Sequence, residues 1–214
     1  MSAAPAKLAA LRHLLAERFP TAPRTPGRTL ATGIAALDDV GGLPLGAVTE
    51  IVCTAPSCGS QLLLGQLLAV TRTTRTRVAL VDASDSFDAA SYPVDTLAHL
   101  VWVRCTPATA LAAADLLIRD ANLGLVVLDL RRTGERELRR TPSSFWYRLQ
   151  RATEPSDLAL VVITPRASVP SAQLRFTLAA SHASSALELE RPVLSAALAP
   201  ALQRQRLTAQ IAVA

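Results

Sequence analysis

The residues best placed to do chemistry lie between Glu50 and Gln61, EIVCTAPSCGSQ. An apolar run ends in a turn of small residues, and a leucine-rich stretch follows. A phosphate-binding loop requires this order. Backbone N–H groups of the turn face the anion, and the helix start adds partial positive charge. The usual pattern is GxxxxGK(S/T), whose lysine reaches the phosphates and whose hydroxyl reaches magnesium. Set on that pattern, the eight positions are Thr54, Ala55, Pro56, Ser57, Cys58, Gly59, Ser60 and Gln61. Gly59 is kept. Thr54 replaces the first glycine, Ser60 the lysine and Gln61 the hydroxyl. Ser60 brings no positive charge, and Gln61 is a poor magnesium ligand. The frame of the loop is present and its chemistry is missing.

A second feature is RRTGERELRRTPSSFWYRLQR, residues 131–151, with seven arginines against two glutamates. Clustered guanidinium groups suit phosphates or carboxylates. Arg131, Arg132, Arg136, Arg139 and Arg140 would contact DNA or a partner, with Trp146 or Tyr147 stacking on a base. The same segment also reads as a solvated face that tucks Phe145 and Leu149 into a core. Other chemistry is not signalled. His13, His99 and His182 have no ligand spacing. No GxSxG turn presents a nucleophile. Three cysteines without a CxxC pair fit neither a disulfide framework nor a zinc site, so no metal is expected. Cys53 and Cys105 lie in apolar runs and are expected in the core.

Elements must position these residues. Continuous apolar runs at 47–53, 77–83, 100–105, 123–130 and 158–164 read as strands. Between them, 60–72, 107–121 and 142–153 read as helices, the last with serine caps. SALELE at 185–190 alternates. Such an order predicts a mostly parallel sheet covered by helices on both faces. Leu62, Leu63, Leu64, Leu67 and Leu68 would anchor the first long helix on it. Near the N-terminus, Leu8, Leu11, Leu15 and Phe19 recur at helical spacing. A segment with three prolines and a glycine, 20–29, then reads as a linker. The tail 204–214 alternates Leu207, Ala209, Ile211 and Val213, as a closing edge strand or a segment offered to a partner would.

Length bounds the chain to one domain with short appendages. The 214 residues divide into an amphipathic helix (1–19), a linker (20–29), a core (30–192) and a C-terminal extension (193–214). Half the residues are hydrophobic, enough for a sizeable core. The net charge of +5 is almost wholly arginine, since Lys7 is the sole lysine. No secretory leader and no uncharged membrane-length run is present, so a cytoplasmic protein is expected.

The flanks of the loop carry a resemblance. TGIAALDDVGGLPLGAVTEI (32–51) is similar to the segment that leads into the phosphate loop of RecA recombinases. RVALVDASDSFDAAS (77–91) resembles the strand and turn that hold their catalytic glutamate, and LGLVVLDLRR (123–132) resembles their Walker B strand. LALVVITPR (158–166) and LRFTLAASHASSALELE (174–190) resemble later core strands. The N-terminal stripe resembles the RecA oligomerisation helix. Within that superfamily, the short length, the eroded loop and SFWYRLQRATEPSDLALVVITPR look like the ImuA family, whose members are also described as SulA-like.

The resemblance implies a RecA-like P-loop NTPase core, α/β, with a degenerate nucleotide loop. Asp129 stands at the Walker B position; it also reads as a carboxylate held by N–H groups at the end of a buried strand. Ser84 stands where the family carries its catalytic glutamate, and Asp85 is one residue out of place. The implied function is non-enzymatic: an adaptor in DNA damage tolerance. It would link RecA, an inactive Y-family polymerase (ImuB) and an error-prone polymerase during SOS mutagenesis. No cofactor is expected, although backbone N–H groups leave weak ATP binding open. Weak non-specific DNA contact, self-association through the N-terminal helix, no membrane contact and a place at the nucleoid complete the expectation. The rivals are an active RecA-type ATPase, with Arg72 or Arg75 standing in for the lysine, and a SulA-like cell-division inhibitor.

Overall fold

The computed structural model describes residues 28–120 and 122–206. The 6–19 stripe of Leu8, Leu11, Leu15 and Phe19 therefore lies outside the described residues, as do most of the linker and the tail 207–214. A short ribbon comes first: β1 (Thr29–Leu30) pairs antiparallel with β2 (Leu43–Pro44), with α1 (Ala35–Asp38) between them. The TG…LD stretch closes on itself here. The Asp38 carboxylate accepts from Thr32 N and Oγ1, both at 2.8 Å, and from Gly33 N at 2.9 Å.

The body is one sheet. Its members are β3 (Ala47–Cys53), β4 (Val78–Asp82), β5 (Leu100–Arg104), β6 (Leu125–Asp129), β7 (Ala159–Thr164), β8 (Leu174–Leu178) and β9 (Ala201–Gln205). The spatial order is β5-β4-β6-β7-β3-β8-β9. All neighbours are parallel except β8 and β9. Strands β4, β6 and β7 are buried along their whole length, which their unbroken Val/Leu/Ile runs require.

Side chains alternate between two cores. Val78, Leu80, Val127 and Val161 face α2 (Ser60–Thr73), with Leu63, Leu64, Leu67 and Leu68 against them; Leu62 is only partly buried. Ala79, Val81, Val126 and Val162 face the other way, toward α4 (Pro107–Ile118) and α6 (Ser143–Thr153). The short α3 (Val94–Leu97), α5 (Glu135–Arg140) and α7 (Arg191–Ala196) complete the helices. Among the described residues, no helix is long and apolar enough to cross a membrane.

Several expectations change. Residues 185–190 do not form a strand; 184–188 wind into a 3₁₀ turn, and no strand among the described residues pairs with them. Pro142, not a serine, stands at the start of α6, and no side chain caps it. In the extension that begins at 193, α7 leads into β9, which closes the sheet against β8. Cys58 is the buried cysteine, while Cys53 and Cys105 are only half-buried.

One polar group sits at the centre of the sheet. Glu50 of β3 is fully buried beside its register partner Arg175 of β8. Its carboxylate accepts from Thr164 Oγ1 at 3.0 Å, Ser168 N at 2.6 Å, Val169 N at 3.1 Å and Arg175 Nε at 2.5 Å. The pair pins the crossover between β7 and β8. Removing the carboxylate leaves Arg175 and three donors uncompensated, so Glu50→Ala is expected to lose about 3–5 kcal/mol in urea unfolding. Glu50→Gln, which keeps an acceptor, should lose less. Equal and small losses in both would show that the pair does not hold the crossover.

Candidate functional site: a phosphate-type loop filled by Arg131

Strands β3, β4 and β6 all end at the same edge of the molecule. Open parallel sheets place their ligand crevices at that carboxyl end. The loop Thr54–Gly59 follows β3 there and feeds α2. Gly59 starts the helix at φ +85°, a left-handed conformation that side chains rarely adopt. A β-carbon at Gly59 would also meet Leu198 and lie 3.0 Å from His182 Nε2. The turn after β8 lies against the loop as well: His182 N donates to Ser57 O at 3.0 Å, and Ser181 Oγ to Pro56 O at 2.7 Å. Thr54 N donates to Leu178 O at 3.1 Å. The chain's own C-terminal half thus lies over the loop.

The centre of the site holds a guanidinium. Arg131, two residues beyond the end of β6, donates from Nη1 to Ser60 Oγ at 3.0 Å and from Nη2 to Ser86 Oγ at 2.9 Å. Nη2 also lies 3.3 Å from Asp129 Oδ2, and the Arg131 side chain is only 11% exposed. Asp129 Oδ1 accepts from Arg131 N at 3.1 Å, as expected of a carboxylate held by N–H groups at a strand end. Positive charge missing from position 60 is therefore supplied from position 131. Arg72 and Arg75, the candidates for that substitution, lie at or just beyond the other end of α2.

The acidic groups are all engaged. Asp82 and Asp129 are register partners at the ends of β4 and β6. Asp82 is fully buried and accepts from Ser84 N at 3.2 Å, Ser86 N at 2.9 Å and Phe87 N at 2.9 Å. It shapes the turn that carries Ser84. Asp85, at φ +48°, turns away toward β5, where Arg104 grips it at 2.6 and 2.7 Å. That hydrogen bonding holds the Asp85 carboxyl below its ordinary value. Burial pushes Asp129 up, and Arg131 opposes the rise. Gln61 donates from Nε2 to Ser86 O at 3.1 Å. Cys53 is pushed up by burial first and then by the Cys58 thiol, so it is no thiolate at neutral pH.

The residues present do not fit a magnesium triphosphate. A guanidinium fills the gap between Ser60 and Asp129, and the Asp129 carboxylate is already paired. A guanidinium also cannot give up its proton, so Arg131 serves as no base.

The 131–151 segment divides. Arg131 is spent inside the site, which removes it from the expected DNA or partner surface. Trp146 is also withdrawn: it is 2% exposed, packed with Leu149 under the sheet, and cannot stack on a base. Arg139 pairs with Glu135 at 2.5 Å, and Arg166 meets the same glutamate. Arg132, Arg136 and Arg140 face solvent, and Tyr147 is exposed. Motif reading missed Arg131's role in the loop and that of Asp82. The signal for Arg131 was an arginine two residues past a strand-ending aspartate.

Arg131→Ala is expected to lose about 3 kcal/mol at pH 7, because it leaves Asp129 buried and unpaired. The deficit should shrink on acidification. A buried carboxyl whose folded pKa is raised binds its proton more tightly folded than unfolded. Its penalty is therefore full above the folded pKa and relieved as pH falls toward the ordinary aspartate value. Urea unfolding between pH 7 and pH 5 measures this; Arg131→Ala with Asp129→Asn should show no such pH dependence.

No protein-family model matches the chain, and no curated protein matches its sequence.

Proposed function

We propose that this chain is a non-catalytic, RecA-like adaptor in DNA damage tolerance, similar to the ImuA family. The observation that carries the non-catalytic reading is Arg131. It occupies the ground between Ser60, Ser86 and Asp129 where a hydrolysing site would need an open, metal-binding carboxylate. The turn after β4 adds to it: Ser84 carries no carboxylate, and Asp85 is held by Arg104 on the far side. Magnesium-assisted phosphoryl chemistry depends on these positions.

The sheet supports the RecA-like part. Two strands, β6 and β7, lie between β3 and β4, and β5 lies outermost. This skipped order fits a RecA-like core, with the loop after β3, the glutamate turn after β4 and the Walker B aspartate at the end of β6. The damage-tolerance role rests on the sequence resemblance. Its proposed partners are RecA, an ImuB-like protein and an error-prone polymerase, met at the nucleoid. The exposed Arg132, Arg136 and Arg140 are the proposed contacts to a partner or to DNA phosphates.

Two measurements test the reading. Wild-type protein with magnesium and ATP should release no phosphate, and Arg131→Ala should not create turnover, since Ser84 supplies no base. Magnesium-dependent hydrolysis that vanishes on Asp129→Asn would overturn the non-catalytic reading. The full chain should also co-purify with at least one of the three partners. Reversing Arg132, Arg136 and Arg140 to Glu should weaken that complex or flatten the salt dependence of DNA binding, with little change in stability. Failure to engage any partner would overturn the adaptor.

A further inference from the structure

Helix α2 starts at the loop and ends at the opposite edge of the sheet. There it forms one wall of an open cleft of about 450 Å³. That is within the range of small-ligand sites, about 300–1,000 Å³. Ala98, Leu100 and Val101 supply the apolar wall, and Arg72, Arg75, Arg77 and His99 the polar one.

The cations are not equivalent. Arg72 is committed to Asp95, with contacts at 2.5 and 3.1 Å. Arg75 and Arg77 are exposed, and neither forms an ion pair among the described residues; Asp120 feels Arg77 only through space. Arg75 also adopts φ +56°, just past the end of α2. Glycine or asparagine usually takes that position. Here the helix ends on a strained arginine instead, beside the cleft.

His99 ties this side of the cleft to α2 through Thr71. Thr71 Oγ1 donates its proton to Leu67 O at 2.6 Å, so it can only accept from His99 Nε2, 2.8 Å away. The imidazole proton is thereby placed on Nε2. Nδ1 keeps a bare lone pair, buried and without a hydrogen-bond partner. Burial, and then Arg72, hold His99 below its ordinary value, while Asp95 opposes them; the ring is neutral at pH 7. The cleft therefore offers two uncommitted guanidinium groups beside an apolar wall.

We propose that this cleft binds a nucleotide phosphate ester: Arg75 and Arg77 hold the phosphoryl oxygens. Guanidinium groups match phosphate geometry. The sugar or base lies on Leu100 and Val101. The nucleotide is either free or one unit of a single strand. The site is separate from the Arg131 loop and does not rest on the damage-tolerance reading.

Calorimetry on the full chain tests it, with sulfate, deoxyadenosine monophosphate and a short oligothymidylate as probes. Wild type should bind the mononucleotide or the oligonucleotide, and whichever binds names the source. Arg75→Gly with Arg77→Ser should weaken that binding about tenfold or more. Arg75→Gly relaxes a strained backbone, so lost binding in the double variant is not lost folding. The proposal is overturned if neither nucleotide probe binds wild type, or if the double variant binds as wild type does. It is also overturned if Arg136→Ser with Arg140→Ser abolishes binding and the cleft variants do not.

Discussion

One guanidinium joins the three loops that follow β3, β4 and β6. Arg131 reaches Ser60 at the start of α2, Ser86 in the turn after β4 and Asp129 at the end of its own strand. The arrangement answers a constraint of the fold. Parallel strands bring their carboxyl ends together, and here register sets Asp82 beside Asp129. Two carboxylates side by side in a buried place need compensation. Asp82 finds it in three backbone N–H groups, and Asp129 finds it mainly in Arg131.

The two buried acids of the sheet show different solutions. Glu50 lies mid-strand with four donors around it, so it stabilises one crossover and leaves no oxygen open. Asp129 lies at the rim, and its Oδ2 accepts no hydrogen bond despite the nearby guanidinium. Breaking either pair is costly, because the surviving charge stays buried. Only the Asp129 pair sits where a ligand site would be. The same interaction that holds three loops together therefore also decides what the crevice can admit.

Much of the fold was legible because the central strands are buried on both faces. AVTEIVC and ALVVIT could hardly be anything else, and their helices follow from leucine spacing. The closing strand was not legible. ALQRQ is polar and exposed along most of its length, so it carries neither an apolar run nor a clean alternation. SALELE alternates but has no neighbour to pair with, and pattern alone cannot supply one. The candidate site was half legible. Aligning the loop to a motif exposed the missing lysine, because that test runs position by position. It could not show Arg131, which lies 71 residues away from Ser60 and meets it only through the sheet. Trp146 misled for the opposite reason: an aromatic among arginines has the look of a stacking platform, and helical phase turned it inward.

The Arg131 bridge also makes a lysine hard to place at position 60. Ser60→Lys alone would bring a second cation into the crevice. It would set an ammonium against a guanidinium that already fills the space, in a crevice with little solvent to screen them. Arg131 would first have to leave, and that step alone strands Asp129. Each single substitution is thus costly on its own. The bridge ties the residue tolerated at position 60 to those at 129 and 131, although they lie far apart in the sequence.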